Sequence, residues 1–143
     1  MKKRYIVLSV IVLVIALALI WWLIPVRFLR GVDPAEVSKI KVFNGSSGNC
    51  FELSAPEDVS FLVENIHQAH FKKEKLSIGM GTYYNITVLS ENDKEIDFFI
   101  LDDRDTMRKG PIFYHCNGEL DEVEQYLINI ETAQFPREAE NQQ

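Results

Sequence analysis

The sequence lacks the short motifs that mark common catalytic and metal sites. It contains no C-x-x-C or H-E-x-x-H spacing and no G-x-S-x-G element, which argues against a cysteine-ligated zinc site, a zinc protease and a serine hydrolase. Glycine and proline are scarce, seven and five among 143 residues, while 47% of residues are hydrophobic. This composition excludes a collagen-like or wholly disordered chain and suits at most one folded domain.

Acidic residues are absent from the first 30 positions, which contain five Lys or Arg. The remaining 113 residues contain ten Lys or Arg and all 21 Asp or Glu, a formal charge of −11. A domain this acidic would repel polyphosphate. We therefore expect no nucleic-acid partner.

Charge of either sign is missing from residues 5–24, YIVLSVIVLVIALALIWWLI. Twenty helical residues span about 30 Å, the hydrocarbon thickness of a bilayer, so this run predicts one transmembrane helix. Trp21 and Trp22 follow at its end, where indole rings favour the lipid–water interface. A cleaved signal peptide is the alternative, but the only A-x-A sequence, residues 16–18, lies inside the apolar run. We expect an uncleaved signal anchor.

The orientation of this helix is predicted from its flanking charges. Three basic residues precede the apolar run, which favours residues 1–4 as a short cytoplasmic tail and a C-terminal domain outside the cytoplasm. Arg27 and Arg30 oppose this orientation from the other flank. A cytosol-facing regulatory domain is therefore the alternative.

The rest of the chain predicts a linker over residues 25–37, an α+β domain over 38–131 and a flexible tail over 132–143. Amphipathic patterns predict helices over 55–69 and 119–131. Six strands joined by short turns give the order ββαββββα and a mostly antiparallel sheet with both helices on one face. The predicted strands are 38–43, 50–53, 71–78, 83–90, 95–101 and 112–116. Residues 102–109 are predicted to be a polar connection.

The two cysteines, Cys50 and Cys116, each lie in a predicted strand. In an oxidising compartment they could pair as a disulfide. The alternative is two buried free thiols, as in a cytosolic domain.

Histidines supply the main alternative to a purely structural domain. His67 and His70 have the i, i+3 spacing with which a helix can share a metal, and His115 could add a ligand. A metal-binding or hydrolytic enzyme that uses these three residues is therefore the competing hypothesis. We expect no enzyme, no catalytic residues, no metal and no cofactor, since His is also common near a helix C-terminus.

One face of the predicted sheet is more apolar than solvent requires. The residues predicted to face the helices are Ile40, Val42, Ile86, Val88, Ile96, Phe98 and Ile100. The residues that would then face away, and form a partner-binding face, are Phe43, Leu89, Phe99, Leu101 and Tyr114. An apolar patch of this kind is typical of an interaction site. We expect an envelope protein or a peptide as the partner.

Four stretches carry a resemblance: PAEVSKIKVFNGSSGNCFEL, the PEDV start of the first soluble helix, GTYYNITVLSENDKEIDFFI and IFYHCNGELDEVEQYL. In these stretches residues 34–131 resemble small membrane-anchored or lipid-anchored exported domains of Gram-positive bacteria. The resemblance implies an exported domain held at the membrane and implies no catalytic residues. Lipid-anchored members have a cysteine just after the signal. This chain has none there, so its apolar helix would be the anchor.

Overall fold

The computed structural model describes residues 2–76 and 83–136, which form an N-terminal helix, one antiparallel sheet and two further helices. The α+β class predicted from the sequence is confirmed. The helices are α1 (Lys2–Leu23), α2 (Pro56–Gln68) and α3 (Asp121–Gln134), with a short 3-10 helix at Pro34–Glu36. The strands are β1 (Val37–Asn44), β2 (Cys50–Leu53), β3 (Lys72–Leu76), β4 (Tyr84–Ser90), β5 (Glu95–Asp103), β6 (Thr106–Lys109) and β7 (Ile112–His115).

Helix α1 contains a 19-residue apolar stretch, Tyr5–Leu23, that is long and apolar enough to cross a membrane. None of this stretch is buried against the rest of the protein. Lys2 to Arg4, predicted to be a tail, already belong to the helix. Met1 lies outside the described residues.

The seven strands form one sheet in the order β2-β1-β4-β5-β6-β7-β3, and every neighbouring pair is antiparallel. In β1, buried Ile40 and Val42 alternate with exposed Lys41 and Phe43, as a half-buried strand requires. Strand β3 pairs with β7 at one edge, and β2 forms the other edge.

Strand β6 corrects the prediction that residues 102–109 are a connection. Strand β5 continues to Asp103 and turns at once into Thr106–Lys109, which pairs with both β5 and β7. Met107 is the only apolar residue of β6, so no alternation indicated a strand. The observed order has five strands between α2 and α3 where four were predicted. Residues 77–78, the end of one predicted strand, lie outside the described residues.

Helices α2 and α3 contribute to the same hydrophobic core as the sheet. Helix α2 buries Val59, Leu62, Val63 and Ile66, and α3 buries Val123 and Leu127. The helices also touch each other, since the rings of Phe61 and Tyr126 lie 4.4 Å apart between centroids. The sheet therefore has one covered face, as predicted.

Residues 25–37 do not form the predicted linker. Val26 and Phe71 exchange two backbone hydrogen bonds of 2.7 and 3.1 Å. Phe28 is 3% exposed and lies edge-to-face on Phe71 and Tyr114, at 4.8 and 4.9 Å between ring centroids. Leu29 is equally buried. The segment after α1 is thus part of the domain core.

Strand β5 presents to the core the face opposite to the predicted one. Phe99 pairs with Ile86 and Leu101 with Tyr84, and all four side chains are buried. The error arose because β5 is apolar on both faces, so alternation does not determine its register. A bulge between Val88 and Leu89 shifts the pairing further.

Candidate functional site

Within the described residues, the carboxylate of Glu131 accepts hydrogen bonds from four side chains. It lies in the last turn of α3 and is 9% exposed. Its Oε2 accepts hydrogen bonds from Asn44 Nδ2 and Tyr84 OH, both at 2.8 Å. Its Oε1 accepts from Ser47 Oγ at 2.6 Å and Asn49 Nδ2 at 2.7 Å. The carboxylate therefore joins α3 to the β1–β2 turn and to β4.

The β1–β2 turn is shaped to supply these donors. Oδ1 of Asn44 accepts from the backbone N–H of Ser46 at 2.8 Å, an Asx-type turn that leaves Nδ2 free to donate to Glu131. Gly48 has a φ of +78°, a left-handed conformation in which glycine is favoured. The turn thereby directs Ser47 and Asn49 at the same carboxylate.

These four bonds determine the protonation state of Glu131. Burial alone would raise the pKa of its carboxyl, but the hydrogen bonds from Ser47, Asn44, Asn49 and Tyr84 outweigh burial and lower the pKa to about 2. Burial and the bond to Glu131 raise the pKa of Tyr84 well above its usual range. The pair is therefore an ionised acceptor and a neutral donor near pH 7.

An open cleft of about 540 Å³ lies over this carboxylate and is named here the Glu131 cleft. The residues that line it include Asn49, Tyr83, Ile128, Glu131, Thr132 and Phe135. Among the described lining residues there is no Lys, Arg or His. Burial raises the pKa of Tyr83, and the negative charges of Glu124 and Glu131 raise it further. The cleft is thus anionic and partly aromatic.

No pattern in the sequence predicted the Glu131 cleft. Asn44 lies between the predicted strands 38–43 and 50–53, and Glu131 is the last residue of the predicted helix 119–131. The two are 87 positions apart, and no local spacing connects them. Helix α3 also extends past the predicted end to Gln134, so Thr132 and Phe135 line the cleft instead of belonging to a free tail. Residues 137–143 of that predicted tail lie outside the described residues.

The predicted partner-binding face is not a single surface. Phe99, Leu101 and Tyr114 are buried in the core, which corrects their predicted outward orientation. Leu89 is also buried, but outside the core cluster. Phe43 alone is well exposed, at 43%. Phe98, predicted to face the helices, is 39% exposed and pairs with Thr87 on the uncovered face.

The two cysteines are not bonded to each other, so of the two alternatives the structure has free thiols, although only one of them is buried. Cys50 is exposed on the edge strand β2, and Cys116 is buried after β7. Four strands lie between β2 and β7, and five steps of about 4.8 Å separate them by roughly 24 Å. Burial raises the pKa of the Cys116 thiol to about 11.

Two of the three histidines have polar partners outside the hypothesised metal site. His67 Nδ1 lies 3.2 Å from the carbonyl oxygen of Leu29, and His70 Nε2 lies 2.9 Å from Nη2 of Arg27. His115 lies in β7, opposite Lys72. Within residues 2–76 and 83–136, no group of three or more His, Cys, Asp or Glu side chains is arranged to hold a metal ion.

Comparison with protein-family models, curated proteins and solved structures finds no match to this chain. The resemblance of residues 34–131 to exported Gram-positive domains therefore stays a prediction.

Proposed function

We propose that this chain is a single-pass membrane protein whose acidic domain lies outside the cytoplasm and acts as a non-enzymatic binding or accessory module of the cell envelope. Its partner would be an envelope protein or peptide that presents a basic side chain to the Glu131 cleft. The observation that carries the proposal is a helix whose apolar stretch is not buried, attached to a domain with a hydrophobic core of its own.

Helix α1 supports a membrane location because exposing its apolar side chains to water is unfavourable. No residue of the apolar stretch Tyr5–Leu23 is buried by the described domain, which contacts it only at its C-terminal end through Lys73 and Trp21. Burial of apolar surface contributes about 25 cal/mol per Å², so an uncovered helix of this length would favour a bilayer strongly. The basic residues before it support a cytoplasmic N-terminus.

The hydrogen bonding of Glu131 supports binding instead of catalysis. A general acid or base works best with a pKa near the operating pH. The pKa of Glu131 is about 2, and both of its oxygens already accept two hydrogen bonds. Such a carboxylate supplies a fixed negative charge and does not exchange protons near pH 7.

A cationic ligand group fits the charge of the cleft. All four donors to Glu131 are neutral, so they spread its charge without cancelling it. The rings of Tyr83 and Phe135 add aromatic surface on which an ammonium or guanidinium group is attracted. A lysine or arginine side chain of a partner has both the charge and the reach for this site.

Photo-crosslinking at two matched positions tests the proposal. Phe135 in the cleft is 38% exposed, and Phe98 on the uncovered sheet face is 39% exposed. Each is replaced by benzoylphenylalanine in the full chain, and membranes are irradiated. We expect a discrete adduct from position 135 that a lysine-rich peptide suppresses and a glutamate-rich peptide does not, with none from position 98.

Two results would contradict the proposal. An adduct from position 98 and none from position 135 would indicate that the partner binds the uncovered sheet face and not the Glu131 cleft. No adduct from either position, in a chain that remains in the membrane fraction, would remove the binding role.

A further inference from the structure

We propose that the membrane-proximal end of the domain docks on anionic phospholipid headgroups of the leaflet from which the domain emerges. The docking surface is named here the basic rim and consists of Lys72 and Lys75 of β3. This inference rests on the proposed function, since it requires α1 to span the bilayer.

Strand β3 runs toward the bilayer beside the end of α1. Val26 and Phe71 form an antiparallel bridge, so the residues before Val26 and the residues after Phe71 extend to the same side of it. The residues before Val26 lead into α1, and those after Phe71 are β3. Lys72 and Lys75 therefore lie between the bridge and the membrane.

Lys73 fixes this arrangement. Its Nζ donates to the carbonyl oxygens of Trp21 at 2.7 Å and Ile24 at 3.3 Å, and it lies 4.3 Å from the centroid of the Trp21 ring. These carbonyls belong to the C-terminal end of α1, where a cation is favoured. Because Trp21 is expected at the lipid–water interface, Lys73 holds β3 at headgroup depth.

Charge is strongly divided between the rim and the rest of the domain. Residues 72–76 contain three Lys and one acid, Glu74. Residues 33–71 and 83–136 contain six Lys or Arg and 18 Asp or Glu. An anionic surface would attract the first set and repel the second, and would therefore orient the domain.

The rim cations are accessible to headgroups. Both side chains of the rim are exposed, whereas Lys73 is buried. Lys75 Nζ lies 3.9 Å from Glu74, a long and exposed pair. Lys side chains at this depth match the charge of the phosphodiester group of an anionic lipid.

The test uses the full chain in nanodiscs of phosphatidylcholine with phosphatidylglycerol. Spin-labelled phosphatidylglycerol and phosphatidylcholine report by electron paramagnetic resonance how strongly each lipid is immobilised by the protein. The rim variant combines Lys72→Gln and Lys75→Gln. The control variant combines Lys41→Gln and Lys94→Gln, two exposed lysines outside the rim. Lys2, Lys3 and Arg4 stay in every protein, so the difference between variants reports the rim.

We expect the selectivity for phosphatidylglycerol over phosphatidylcholine to fall at least twofold in the rim variant and to be unchanged in the control. Equal selectivity in the native chain, the rim variant and the control variant would contradict the proposal that the rim binds anionic lipid. Inorganic phosphate should weaken the selectivity no more than chloride at equal ionic strength, because a stronger effect would assign the rim to free phosphate. In a Cys50→Ser background, slow reaction of buried Cys116 with a thiol reagent verifies folding. The single variant Lys75→Gln, expected to show about half of the effect, replaces a misfolded double variant.

The two proposals fail in different ways. A chain that alkaline carbonate extracts from membranes would contradict the proposed function itself. A chain that stays integral but shows no dependence on the rim would contradict the docking alone.

Discussion

Tyr84 donates its hydroxyl hydrogen to Oε2 of Glu131 at 2.8 Å and so joins the start of β4 to the end of α3. Both side chains are buried. A buried hydrogen bond to a charged group stabilises a fold more than a neutral one does. The contact therefore holds the Glu131 cleft together.

Replacing Glu131 by Gln should lower the free energy of unfolding by about 2–3 kcal/mol. The substitution removes the negative charge and replaces one acceptor oxygen by an NH2 group, which cannot accept hydrogen bonds from the two donors that it faces. Urea denaturation of the full chain in detergent, followed by circular dichroism, measures the change. Glu122→Gln is the control, since Glu122 is exposed on the same helix and should change the free energy by less than about 0.5 kcal/mol. An equal effect of the two substitutions would contradict the role of the network.

Acid should weaken the fold through the same carboxylate. The pKa of Glu131 is lowered from 4.5 to about 2, so its contribution is complete above pH 4.5 and is lost as the pH falls toward 2. The shift corresponds to roughly 3 kcal/mol. Urea denaturation at intervals between pH 5 and 2 should show this loss in the native chain and a clearly smaller slope in Glu131→Gln. Parallel profiles would contradict the assignment.

Tyr84→Phe should cost about 1–2 kcal/mol of unfolding free energy, because Glu131 would lose one of four donors. Its neighbour Tyr83 is a natural control, since its hydroxyl makes no hydrogen bond to the described residues, and Tyr83→Phe should be nearly neutral. A double-mutant cycle of Tyr84→Phe with Glu131→Gln should give a coupling of at least about 0.5 kcal/mol. Additive effects would mean that the two side chains act independently.

Lys73→Met should loosen the attachment of α1 to the domain, because the carbonyls of Trp21 and Ile24 lose their shared donor. Hydrogen exchange of the Val26 and Phe71 amides, which bridge the two segments, should accelerate at least tenfold in detergent. Lys72→Met, at an exposed neighbouring position, should leave these rates within twofold. Unchanged exchange in Lys73→Met would show that Lys73 does not hold the bridge.

The sequence predicted the elements whose burial follows a simple period and missed those determined by distant contacts. Strand β1 alternates cleanly and α2 has one apolar face, so their existence and approximate bounds were predictable. Strand β6 contains one apolar residue, and β5 is apolar on both faces, so neither pattern revealed the observed pairing. Phe28 is buried by Phe71 and Tyr114, which are far away in the sequence. The same is true of Glu131 and Asn44, so the candidate site could not be predicted.

The most direct test of the account is the side of the membrane on which Cys50 lies. Cys50 is exposed and Cys116 is buried, so a membrane-impermeant maleimide should report one native residue without any engineered label. In intact protoplasts that express the full chain, we predict rapid labelling that Cys50→Ser abolishes and Cys116→Ser preserves. Labelling that occurs only after the membrane is permeabilised would place the domain in the cytoplasm and contradict the account.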